Sequence, residues 1–185
     1  MKRRAERQQQ TRERIVEAAV GLHTTLGPAR TSISAIAEQA GVRRQTVYDH
    51  FPDAEALFRA CSLHWRAAHP FPDPMGWMTI DDHRERVRTA LEAVYGWYES
   101  VRDEFALFAR DSALYPRFWA ERDDQLRGLA EGLAGTLPRP DQAAPALAHA
   151  FDFATWQSLR RHGFVQHGAI DAMTDFVTAH AAGQG

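Results

Sequence analysis

The chain has 185 residues, 44% of them hydrophobic and 25% charged, with a formal net charge of -2. That fits one ordinary globular domain, or one with a small appended module, and excludes a disordered chain. Cys61 is the single cysteine, which excludes an intrachain disulfide and a cysteine-based zinc site.

The opening MKRRAERQQQTRERIVEAA lacks the apolar core of a signal peptide. No apolar run is long enough to span a membrane, so a cytoplasmic location is expected. Ile15, Ala18, Ala19, Leu22 and Leu26 recur at helical spacing, and Gly27-Pro28 ends that helix. Thr31 or Ser32 can cap a second helix running from Ile33 to about residue 40, with Gly41 just past its end. A third short helix covers residues 43–50, and Phe51-Pro52 breaks it. Asp53 is placed to cap a fourth, which carries Leu57, Phe58, Cys61 and Trp65 on one face.

The stretch HPFPDP at 69–74 predicts a stiff extended linker. Val87, Leu91, Val94, Tyr95, Tyr98 and Val101 form the next helical stripe, followed by a short apolar piece at 105–110. Leu126, Leu129, Ala130, Leu133 and Leu137 form another stripe, ended by Pro138 and Pro140. Two last helices are predicted at about 141–162 and 168–181. No strand or repeat is legible, so the fold class is all-α.

Charge is unevenly spread. Residues 1–52 hold nine basic and five acidic side chains, a net +4, and the remainder carries -6. A basic end on an acidic body points to an anionic partner at one end, although a solvated tail has the same composition. Residues 31–51, TSISAIAEQAGVRRQTVYDHF, read as two short helices joined at Gly41-Val42, a helix-turn-helix. Ile36, Ala37, Val42 and Val47 can close a small core with Ile15, Ala19 and Leu22. The second helix then turns Arg43, Arg44, Gln45, Thr46, Tyr48 and His50 outward, and a helix of this width fits the DNA major groove.

With its EAAVGLH helix, TSISAIAEQAGV, the TVYDHF ending and the DAEALF start, the sequence over about residues 10–60 resembles the TetR-like (tetracycline-repressor-like) regulators. The resemblance implies a DNA-binding helix-turn-helix head at 1–52 on a helical ligand-binding and dimerisation body at 53–185. It implies phosphate contacts by Thr46, Tyr48 and His50 and base reading by Arg43, Arg44 and Gln45. The physics agrees, since Arg bridges G O6/N7, Gln bridges A N6/N7, and hydroxyls suit phosphate oxygens. Thr31 or Ser32, at a helix start, adds a possible phosphate contact. Two positions depart from the pattern. Gln45 stands where a small residue is usual, and Ala54 where Lys often stands. The basic tail at residues 2–7 is read either as a compensating arm on the DNA or as a solvated end.

Residues 65–119 hold eleven of the nineteen aromatic residues. Trp65, Trp97, Tyr98, Phe105, Phe108 and Trp119, with Trp156, are the expected lining of a pocket for an apolar or planar effector, against the plainer reading of a packed core. In the last two helices Leu147, Phe151, Leu159, Met173, Phe176 and Val177 are the expected interface of a homodimer. Two copies would read a palindromic double-stranded operator.

No metal or cofactor is expected. His64 and His69 are five apart, as are His162 and His167, where a helical pair needs four. No phosphate loop, G-x-S-x-G or H-E-x-x-H occurs, so an enzyme is not expected. The alternative to an effector-released repressor is a ligand-blind or structural DNA-binding protein.

Overall fold

The computed structural model describes residues 2–182, and among these every regular element is helical. In chain order they are α1 (Lys2–Thr25), α2 (Ile33–Gln39), α3 (Arg44–His50), α4 (Ala54–Ala68), α5 (Met75–Met78), α6 (His83–Ser100), α7 (Arg102–Arg110), α8 (Pro116–Ala134), α9 (Pro140–Phe151), α10 (Phe153–Arg161) and α11 (Gln166–Ala182). One-turn 3-10 segments at Pro28–Arg30 and Ser112–Leu114 join α1 to α2 and α7 to α8. The all-α expectation holds. The predicted linker at 69–74 runs into the short α5, and the penultimate helix is interrupted at Asp152.

The chain forms two compact units. Among the described residues, one holds residues 2–70 together with Val101–Phe118; the other holds Phe71–Ser100 and residues 119–182. Packing therefore does not divide at residue 52, where the sequence placed the edge of the head. The reason is the apolar face of α4. Leu57, Phe58 and Cys61 share one buried core with Ile15, Val16, Ala19, Ile36, Ala37, Val47 and Phe51. The carboxylate of Asp53 starts that helix by accepting the Ala56 N–H at 2.7 Å. From the distant segment, Tyr115 stacks on Phe58 with centroids 3.8 Å apart, and Phe118 meets the same ring edge-on at 5.1 Å. These rings and α7 tie residues 101–118 to the first unit.

In the second unit α6 packs against α9, α10 and α11. Val87, Leu91, Val94, Tyr95 and Tyr98 are all buried, as their spacing predicts. Arg84 pairs with Asp175 at 2.5 Å and Arg88 with Asp171, both pairs joining α6 to α11. The interruption at Asp152 has a local cause. Its carboxylate caps α10 by accepting the Ala154 N–H at 2.8 Å, which removes that donor from the continuous helix ladder. The carbonyls of Ala150 and Phe151 are instead satisfied by the hydroxyls of Tyr95 (2.9 Å) and Tyr98 (2.6 Å). Burial holds both phenols protonated, Tyr98 up to about 12. Tyr95→Phe should therefore cost about 1–3 kcal/mol, the penalty of an orphaned buried carbonyl. Urea unfolding checks this, and an unchanged midpoint would refute the role of the hydroxyl.

Candidate nucleic-acid interface

The turn between α2 and α3 follows from two backbone bonds and one glycine. Ser32 starts α2, its hydroxyl oxygen accepting the Ala35 N–H at 3.1 Å. At the other end the Val42 N–H donates to the Ala37 carbonyl (2.9 Å) and the Gly41 N–H to that of Glu38 (3.1 Å). These are the paired bonds of a Schellman motif, and Gly41 takes the left-handed conformation it requires at φ +64°. Val47 plugs α3 into the core, and the Phe51 N–H closes its last turn on the Val47 carbonyl at 2.8 Å.

With Val47 pointing in, Arg43, Arg44, Gln45, Tyr48 and Asp49 are exposed on one side of α3, while Thr46 and His50 are half-buried beside it. The outward side chains are ordered in i,i+4 pairs. Arg44 Nη2 donates to the Tyr48 hydroxyl at 3.1 Å, and its guanidinium lies 5.6 Å from the ring centroid. Gln45 Nε2 donates to Asp49 Oδ1 at 3.1 Å. Ser32 is exposed at the start of α2. Thr31 is not equivalent to it, because its hydroxyl donates back to the Gly27 carbonyl at 2.9 Å. A further cation that sequence reasoning missed, Arg12 of α1, lies 4.8 Å from the Phe51 ring centroid at the end of α3. Residues 3–10 continue α1 as an exposed helix rather than a loose tail.

The residues expected to line an effector pocket divide between the two units. In the first, Trp65 meets Phe108 edge-on at 5.3 Å and Phe105 at 6.3 Å, and its indole N–H donates to the Glu104 carboxylate. Beside them lies a cavity of about 10 Å³ lined by Val20, His23, Phe58, Cys61, Ser62, Trp65 and Phe108. That is room for one water molecule and not for a planar ring. In the second unit Tyr98 touches Trp97 (5.5 Å), Trp156 (5.7 Å) and Phe153 (5.1 Å). Trp119 there lies under the Arg122 guanidinium at 5.3 Å.

Of the residues expected at a dimer interface, Leu147, Phe151 and Val177 are fully enclosed in the second unit and have no surface to offer a partner. Helical spacing marks an apolar face without saying what covers it. Leu159, Met173 and Phe176 are half-buried, and the Phe176 ring rests against His149 and His180 at 5.8 and 4.5 Å. Among the described residues no three His, Cys, Asp or Glu side chains gather to hold a metal ion. None of the described helices is long and apolar enough to cross a membrane.

The first three helices and their turn define a helix-turn-helix protein. Residues 15–61 match the family model described as bacterial regulatory proteins, tetR family, so this segment is of the TetR type. Among curated proteins the chain is 42% identical over 66 residues to the HTH-type transcriptional regulator TtgR of Pseudomonas putida. That match takes in 35% of this chain and 31% of TtgR, so it spans less than a third of that relative's length. Among solved structures the chain is similar to a TetR-like transcriptional regulator from Rhodococcus sp. RHA1, with a TM-score of 0.64 and 24% identity, covering 94% of this chain and 97% of that one. It is likewise similar to NalD, the secondary repressor of the MexAB-OprM multidrug efflux pump in Pseudomonas aeruginosa, with a TM-score of 0.62, 22% identity, and 92% and 95% coverage. The chain thus has the TetR-like fold over most of its length.

Proposed function

We propose that the protein is a sequence-specific DNA-binding transcriptional regulator acting as a homodimer on a palindromic operator. The observation that carries this reading is α3, with Arg43, Arg44, Gln45 and Tyr48 outward on a helix whose opposite side is locked by Val47. Arg44 and Gln45 read base edges, while Tyr48, Thr46 and His50 fix the helix on phosphates. The Tyr48 oxygen accepts from Arg44 and keeps its own proton for a phosphate oxygen. Half-sites then lie about 34–36 Å apart, or a multiple of that. The half-buried Leu159, Met173 and Phe176 are the residues we assign to the contact between copies.

The selection of duplexes from a random library, followed by titration of single-base variants, tests the reading. Gln45→Ala should relax discrimination at one base position by about 1–3 kcal/mol and leave the others unchanged. Tyr48→Phe should weaken all duplexes alike by about 1 kcal/mol. Equal loss on every variant for Gln45→Ala would refute its readout role.

We further infer repression relieved by a small apolar or aromatic effector. In the first unit such a ligand must displace Trp65 or Phe108, because the space beside them admits only a water. The second reading is a regulator with no effector. Thermal shift against planar aromatic compounds separates the two. A compound that raises Tm and releases the selected duplex supports the first, and compounds that bind without releasing DNA support the second.

A further inference from the structure

One contact at the entrance to the helix-turn-helix comes from 82 residues away. Asp111, which ends α7, is buried, and its Oδ2 accepts the Ala29 N–H at 2.9 Å. Ala29 lies in the first turn of the 3-10 segment leading to α2, where backbone N–H groups have no partner of their own. Arg110 grips the same carboxylate with Nε on Oδ1 (2.7 Å) and Nη2 on Oδ2 (2.9 Å). Its Nη2 also donates to the carbonyl of Leu26 at 3.1 Å. Between these two anchor points stands Gly27, at φ +87°. A methyl group there would sit 2.3 Å from Arg110 Nη2 and 2.7 Å from Asp111 Oδ2. The pair thus closes on the backbone of residues 26–29 where only glycine leaves room.

The other end of α7 is held separately. Glu104 accepts the indole N–H of Trp65 on α4, and Phe105 and Phe108 pack around that indole. Helix α7 is therefore fixed to α4 at its start and to the α1–α2 turn at its finish, all within one compact unit. A shift of α7 along α4 cannot leave Ala29 and the helix that follows it in place unless these bonds break.

We propose that Arg110 and Asp111 are positioning residues for DNA recognition: they hold the α1–α2 turn, and so the placement of α2 and α3, in register with α7. The proposal rests on the DNA-binding reading above.

The test uses the full chain, with Asp111→Ala and Arg110→Ala. Arg110 is partly exposed, and its variant keeps the Ala29 bond, so it serves if Asp111→Ala does not fold. Amide hydrogen exchange is followed together with affinity for a duplex selected from random sequence by the wild-type chain. The expected result is faster exchange confined to residues 28–50, unchanged protection in α6 and α11, and an affinity lower by at least about tenfold. Asp111→Asn, which keeps an acceptor for Ala29 and loses the ion pair, should fall between Asp111→Ala and wild type. Exchange that rises evenly through both units, or faster exchange in the head with unchanged affinity, overturns the proposal. A wild-type chain that selects no duplex defeats the DNA-binding reading itself. That failure is distinguishable, because the exchange pattern reports the Asp111 grip without DNA.

Discussion

Phe58→Ala should destabilise the protein by about 3–5 kcal/mol, the range for losing a buried phenyl ring. Phe58 is 3% exposed and sits at the junction of three segments. Tyr115 stacks on it, Phe118 meets it edge-on, and the His23 imidazole leans on it with centroids 5.9 Å apart. It also borders the water-sized cavity, so removing the ring would enlarge an existing void rather than let a tight neighbourhood collapse. The upper part of the range is therefore expected. For a chain of this size Tm should fall by on the order of 10 °C. Phe58→Leu, which keeps most of the volume, should cost no more than about 1.5 kcal/mol. Thermal melts of the two variants check the ordering. Equal losses would mean that the ring contacts, rather than the filled volume, carry the stability.

Stability should also fall in mild acid because of His23. This imidazole is buried, with Nδ1 3.3 Å from the Cys61 sulfur. Desolvation lowers its pKa from 6.5 to about 4, against an opposing pull from the Asp111 carboxylate. The native residue stays neutral through a range in which the unfolded chain takes up a proton. Its contribution is complete above pH 6.5 and is lost as pH falls towards 4. At about 1.4 kcal/mol per unit, the whole window is worth about 3 kcal/mol. Asp111 acts in a lower window, since the Arg110 hydrogen bonds hold its carboxyl below the usual carboxylate range. Its stabilisation is lost only as pH falls further. Urea unfolding across the His23 window should show the slope, and His23→Leu should flatten it. An NMR titration placing the imidazole near 6.5 would refute the account.

Much of the first unit was legible in the residues themselves. The spacing of Ile15, Ala18 and Ala19, the glycine at 41, the cap at Thr31 or Ser32 and the cap at Asp53 each report a local backbone requirement. Local requirements are what a sequence displays. The contacts that tie the unit together are of another kind. No periodicity links Asp111 to Ala29 or Tyr115 to Phe58, and the Gly27-Pro28 pair reads equally well as a simple helix end. The same limit explains the aromatic residues. Tyr98 invites a pocket reading, yet its hydroxyl is spent on the Phe151 carbonyl, a partner that exists only because Asp152 interrupts the helix. Leu147, Phe151 and Val177 carry the apolar spacing expected of an interface, and spacing cannot tell an inward face from one awaiting a second copy.

The i,i+4 pair of Gln45 and Asp49 places a carboxylate among the cations of α3. If α3 docks on DNA as proposed, that charge faces a polyanion on any duplex and costs affinity everywhere. The cost is offset where base edges supply donors and the held amide finds its match. A genome offers millions of wrong sites to any sequence-specific DNA-binding protein, so occupancy follows the ratio of right to wrong binding rather than its absolute strength. On the DNA-binding reading proposed above, Asp49 would lower tightness and widen that ratio. Asp49→Asn, by this logic, would make a stickier protein that finds its own site less often.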